Sequence, residues 1–122
     1  MGKVILTVDD SRTMRDMLKM ALRDGGHEVI QADDGVHGTE VLAQNGNIDI
    51  IITDINMPRM DGFGFIEHIR RDPQNRSKPI LVLTTESDPA KKQRARDAGA
   101  TGWIVKPFSA DKLLAAVDRV TG

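Results

Sequence analysis

At 122 residues, with 39% apolar and 29% charged side chains, the chain has the balance of one ordinary globular domain spanning 1–122, and no second domain is expected. A formal net charge of -1 gives no long-range pull toward nucleic acid or an anionic membrane. The absence of cysteine excludes disulfides and thiolate chemistry.

The first apolar run, Val4-Ile5-Leu6-Thr7-Val8, is continuous, as expected of a strand buried on both faces. Asp9 and Asp10 follow at once, which rules out a signal-peptide core. Met1-Gly2 could begin a myristoylation signal, but position 6 is Leu6 rather than Ser or Thr. Ser11 is placed to cap a first helix carrying Met14, Met17, Leu18, Ala21 and Leu22 at helical spacing, with Gly25-Gly26 supplying a left-handed stop.

Glu28 to Ala32 predicts a weaker second strand, and Gly38, Val41 and Leu42 a short helix ending at Asn45-Gly46-Asn47. Ile48 to Thr53 predicts the third strand, followed by a helix marked by Phe65, Ile66 and Ile69 and closed by Asp72-Pro73. Asn75-Arg76-Ser77 matches a glycosylation sequon, which has no meaning without secretion. Ile80 to Leu83 is the fourth strand, Ala90 to Ala98 a basic helix stopped by Gly99, and Trp103 to Val105 the fifth strand.

The last helix carries Leu113, Leu114, Val117 and Val120 on one face. Its Leu113 to Val117 stretch is the longest apolar run, far short of the roughly 20 residues of a membrane span. The expectation is a cytoplasmic protein with neither membrane insertion nor nucleic-acid binding. Five strands alternating with five helices imply an α/β fold, a parallel sheet covered on both faces through right-handed crossovers.

In such sheets ligands bind beyond the carboxyl ends of the strands. The first strand delivers Asp9-Asp10 to that edge, the third Asp54, the fourth Thr84-Thr85 and the fifth Lys106-Pro107. Clustered carboxylates repel one another unless a cation sits among them. Oxygen donors without His or Cys favour a hard ion, of which magnesium takes few carboxylates and keeps several waters. An open metal position beside a carboxylate nucleophile can hold a phosphoryl oxygen, and a lysine and a hydroxyl can bind the others.

Asp9-Asp10, Asp54-Ile55-Asn56-Met57-Pro58-Arg59-Met60-Asp61-Gly62, Leu83-Thr84-Thr85-Glu86, and Ala98-Gly99-Ala100 through Lys106-Pro107-Phe108 together resemble the response-regulator receiver family, in particular its stand-alone chemotaxis members. The similarity covers essentially the whole chain. It implies a flavodoxin-like, doubly wound sheet in the order 2-1-3-4-5. It further implies Asp54 as phosphoacceptor, and magnesium (Mg2+) held by Asp10 and Asp54, by Asp9 largely through water, and by the Asn56 carbonyl. Lys106 would contact the phosphoryl oxygens, Thr84 would move toward them as the switch, and Lys106-Pro107 would be cis. Asn56 and Glu86 would tune self-dephosphorylation.

Trp103 stands where the family commonly carries a Tyr, Phe or His switch residue, and Ser11-Arg12 replace a bulkier start to the first helix. The implied partners are a histidine kinase as phosphodonor and a flagellar motor switch or other output protein, with the chain itself a monomer; whether a dedicated phosphatase also acts on it is left open by the sequence. It would be a signalling protein rather than an enzyme, catalysing only its own phosphorylation and dephosphorylation.

Other readings compete. A haloacid-dehalogenase-type phosphatase also uses a strand-end Asp with magnesium, but expects a second Asp where Asn56 stands, and a substrate cap for which 122 residues leave no room. An inert receiver is opposed by the intact Asp9, Asp10, Asp54 and Lys106, and nothing beyond residue 122 is expected to read DNA. His27, His37 and His68 show no metal spacing and read as solvated surface. Gly62-Phe63-Gly64 begins a dinucleotide fingerprint that Glu67 breaks. Lys91, Lys92, Arg94 and Arg96 read either as a solvated face or as a partner-docking one.

Overall fold

A computed structural model describes residues 2–121. Met1 of the myristoylation reading, and the two end residues of the 1–122 domain, lie outside the described residues. The elements run β1 (Val4–Val8), α1 (Arg12–Asp24), β2 (Glu28–Ala32), α2 (Gly35–Gln44), β3 (Ile50–Thr53), α3 (Gly62–Arg71), β4 (Ile80–Thr84), α4 (Pro89–Ala98), β5 (Gly102–Val105) and α5 (Ala110–Thr121). All strand pairs are parallel, in the order β2-β1-β3-β4-β5. The expected flavodoxin-like order is therefore the one observed.

Successive strand side chains point to opposite faces, and each face has its own core. Leu6, Val8, Ile51, Ile80 and Val82 meet Val41, Leu42, Phe65, Ile66, Ile69 and Ala95 from α2, α3 and α4. Ile5, Ile50, Ile52, Leu81 and Leu83 meet Leu18, Leu22, Leu113 and Val117 from α1 and α5. Burial on both faces is why β1, β3 and β4 read as unbroken apolar runs, whereas the outer strand β2 is only half-buried.

All five helices begin on a side-chain cap that accepts a backbone N–H: Ser11 from Met14, Asp34 from His37, Asp61 from Gly64, Asp88 from Ala90 and, at 3.4 Å, Ser109 from Lys112. Each such cap is worth about 1 kcal/mol. The left-handed stops fall at Gly26, φ 90°, and Gly99, φ 118°.

Two expectations need correction. The third strand begins at Ile50 rather than Ile48; Asp49 just ahead of it meets Val4 twice, its N–H donating to the Val4 carbonyl and its carboxylate accepting the Val4 N–H, each at 2.8 Å. The histidines are not uniformly solvated: His68 is exposed, but His27 Nδ1 accepts from Lys3 N and half-buried His37 pairs with Asp33. Asn75 is buried with its amide on Asp72, so the sequon is no accessible acceptor.

Candidate functional site

The parallel ladder carries the acidic residues to one edge. Asp9 N donates to the Ala32 carbonyl and Asp54 N to the Val8 carbonyl, so each aspartate is held in line with its strand as the chain leaves the sheet. Asp9 and Asp54 are buried while Asp10 faces solvent. One carboxylate oxygen from each of the three lies within 4.8 Å of the others.

Lys106 enters this group from the far side of the sheet. Its backbone N donates to the Thr84 carbonyl at 2.7 Å, and the peptide bond to Pro107 is cis. Its ammonium bridges Asp54 Oδ2 at 2.7 Å and Asp9 Oδ2 at 2.8 Å, with 9% of the side chain accessible. The other oxygens have backbone partners: Asp9 Oδ1 accepts from Ser11 N at 2.8 Å, and Asp54 Oδ1 from Ile55 N at 2.6 Å. Burial works to lower the pKa of Lys106, but its hydrogen bonds to Asp54 and Asp9 prevail and hold it above its ordinary value.

Three carboxylates against one ammonium leave the cluster electronegative even with Lys106 in place. The donor set is all oxygen, with one carboxylate open to solvent. A small hard cation that keeps much of its water suits such a set, and the residues present fit magnesium. Asn56 lies two residues past Asp54 on an exposed loop over the same edge.

A second chain of contacts leads away from the pocket. The fully buried Thr84 accepts through Oγ1 from Glu86 N at 3.3 Å, and Glu86 O accepts from Trp103 Nε1 at 3.2 Å. The Glu86 carboxylate pairs with Lys91 at 3.1 Å. The half-buried indole packs against the core beneath α2, α3 and α4.

The structure thus brings Asp9, Asp10, Asp54 and Lys106 into one cluster, and Thr84, Glu86 and Trp103 into a hydrogen-bonded series beside it. The four cations of α4 do not act as one face. Lys91 turns to Glu86, and the Arg94 guanidinium lies 4.0 Å from the Phe63 ring centroid on α3, while Lys92 and Arg96 are solvated. Sequence reasoning missed the pairing of Asp34 with Arg59, a two-point fork at 2.6 and 3.0 Å. The only sequence signal for it was an acidic cap ahead of α2 and a cation in the turn after Asp54.

The chain is similar to known proteins both in sequence and in fold. The family model described as the response regulator receiver domain matches residues 5–118. A chemotaxis protein CheY homolog of Campylobacter jejuni is 37% identical over 119 residues, spanning 97% of this chain and 92% of its own length. The structure of Vibrio cholerae chemotaxis protein CheY4 superposes with a TM-score of 0.92 at 43% identity, covering 98% of this chain and 99% of that one. The receiver domain of a Pseudomonas aeruginosa sensor histidine kinase, solved with a magnesium ion coordinated in its active-site cleft, superposes with a TM-score of 0.91 at 26% identity, over 100% and 99% of the two chains.

Proposed function

The chain belongs to the response regulator receiver domain family, and we propose that Asp54 is the residue on which it accepts a phosphoryl group. It is a phospho-accepting regulator of the chemotaxis type, a signalling protein in a two-component system. The observation that carries the assignment to Asp54 is the meeting of three carboxylates within 4.8 Å around a lysine that bridges two of them.

Asp9, Asp10, Asp54 and the Asn56 carbonyl would hold magnesium, the ion carried by the Pseudomonas receiver in its own cleft. The bound ion would neutralise charge on the phosphoryl oxygens during transfer. The Asp54 carboxylate attacks the phosphorus of a phosphohistidine donor; the new O–P bond forms as the N–P bond breaks and its electron pair returns to the imidazole. The Ile55 N–H fixes one Asp54 oxygen, which orients the attack. Lys106 follows the developing charge from Asp54 Oδ2 onto a phosphoryl oxygen, a short move for an ammonium already in contact.

Thr84 then exchanges the Glu86 N–H for a phosphoryl oxygen and loosens the Glu86–Trp103 contact, which alters the surface formed by α4, β5 and α5. A histidine kinase is the phosphodonor, and a flagellar motor switch or another output protein reads that surface. Among the described residues no helix is long and apolar enough to cross a membrane, in keeping with a cytoplasmic role. The dehalogenase-type alternative finds no support: an exposed amide, Asn56, stands at its acid/base position, and the family match lies elsewhere.

Transfer of label from a phosphorylated histidine kinase to wild type, and none to Asp54→Asn, is the expected result; equal labelling of the variant would move the acceptor elsewhere. Asn56 and Glu86 flank the approach to the acyl phosphate and tune its hydrolysis. Glu86→Leu, which removes a polar group able to orient water, should lengthen the lifetime of the phosphorylated form. An unchanged decay rate would remove Glu86 from that role.

A further inference from the structure

The segment joining Asp54 to α3 turns at a residue that resists the turn. Arg59 has φ 64°, a left-handed conformation in which its Cβ crowds the neighbouring backbone carbonyl. What offsets this is the grip of its side chain on Asp34: Nε donates to Oδ2 at 2.6 Å and Nη2 to Oδ1 at 3.0 Å. A two-point guanidinium–carboxylate fork fixes orientation as well as distance.

Asp34 is a firm anchor. It is buried, and its Oδ1 also accepts from His37 N at 2.9 Å at the head of α2. The hydrogen bond from Arg59, which outweighs the effect of burial, keeps its carboxyl below the usual range. The backbone adds a second stitch between the same loops, since Gly35 N donates to Met60 O at 3.2 Å. A side chain at position 35 would have its Cβ 2.6 Å from that oxygen. Asn56 lies three residues before Arg59, within the same short loop that begins at Asp54.

We propose that the Arg59–Asp34 fork is a positioning device for the acidic pocket. It holds the loop of residues 54–61 in the shape that presents the Asn56 carbonyl to the cation, and so sets magnesium affinity without touching the ion. The inference rests on the magnesium reading above. The competing account is a surface ion pair of little consequence, which the exposure of Arg59, 57% of its side chain, invites. Asp34 argues against it, with only 6% of its side chain accessible.

The test is calorimetric titration of magnesium chloride into wild type, Arg59→Lys, Asp34→Ser and the double variant, with thermal unfolding measured in the absence of magnesium. Lysine keeps the charge and loses the fork, and serine keeps the α2 cap. Arg59→Gly, which accepts the left-handed turn without strain, guards against a variant that fails to fold. Each single variant should bind magnesium about tenfold more weakly, the scale on which outer partners of metal ligands act. The double variant should be no weaker than either single one. Unchanged affinity in the single variants, whatever happens to Tm, would overturn the inference, as would fully additive losses. Absence of binding to wild type would overturn the acidic-pocket reading and this inference with it.

Discussion

Trp103 Nε1 donates to the backbone carbonyl of Glu86 at 3.2 Å, so the indole is tied to the residue whose N–H holds the Thr84 hydroxyl. Glu86 therefore joins, by two hydrogen bonds, a fully buried threonine at the pocket and an aromatic on the outer strand.

This relation gives Trp103 a spectroscopic role. Beryllofluoride with magnesium, a phosphoryl mimic, should draw Thr84 toward Asp54, release the Glu86 N–H and change the emission of the single tryptophan. Thr84→Ala should blunt the change. Emission identical with and without the mimic would leave Trp103 a static cover on the core edge and shift the switch to the loop from Glu86 to Pro89.

Lys106 supplies to the metal-free pocket part of the positive charge that magnesium would bring. Lys106→Met leaves Asp9 and Asp54 without their ammonium, and should cost about 1–3 kcal/mol of stability without magnesium. Added magnesium should raise Tm more in the variant than in wild type, by mass action on a more repulsive cluster. Because the folded-state pKa of Lys106 is raised, its contribution is complete below the ordinary lysine value of 10.5 and is lost as pH rises through the folded value. The stability gap between the two proteins should thus stay flat through neutral pH and close only in alkali. Equal magnesium responses, or a gap that closes near pH 7, would contradict the pairing.

Gly62 tests the loop that carries Asp54. A Cβ there would be driven into the Asp54 carbonyl and to 2.7 Å from Ile55 Cα, both backbone and unable to swing aside. Gly62→Ala should cost about 1–3 kcal/mol, as overpacking against fixed atoms does. It should also slow phosphorylation by displacing Asp54. Gly46→Ala is the control, since a Cβ at that position meets nothing within 4 Å. Denaturant unfolding of the two variants separates the outcomes, and equal stabilities would show that the loop yields.

Much of this was legible before any coordinates. The unbroken apolar runs and helical spacings located every element, and the strand ends named Asp9, Asp10, Asp54 and Lys106 as neighbours although Lys106 lies 97 residues from Asp9. What escaped were contacts that depend on side-chain direction. The Asp49 carboxylate folds back onto the Val4 N–H at the foot of β3, which no periodicity reveals. Charge counting on α4 could not say that Lys91 and Arg94 are drawn off to Glu86 and Phe63. The fork from Arg59 to Asp34 joins two loops whose proximity exists only once β2, β1 and β3 are side by side.

The central claim is that Asp54 carries the phosphoryl group, and intact-mass spectrometry after incubation with acetyl phosphate and magnesium tests it most directly. Wild type should gain one phosphoryl mass, mapping to the peptide that contains Asp54, and should gain none when magnesium is chelated beforehand. Asp54→Asn should gain none while unfolding cooperatively like wild type, because an amide cannot form the acyl phosphate. A phosphoryl group on the variant at the wild-type rate, or no gain by folded wild type, would contradict the account.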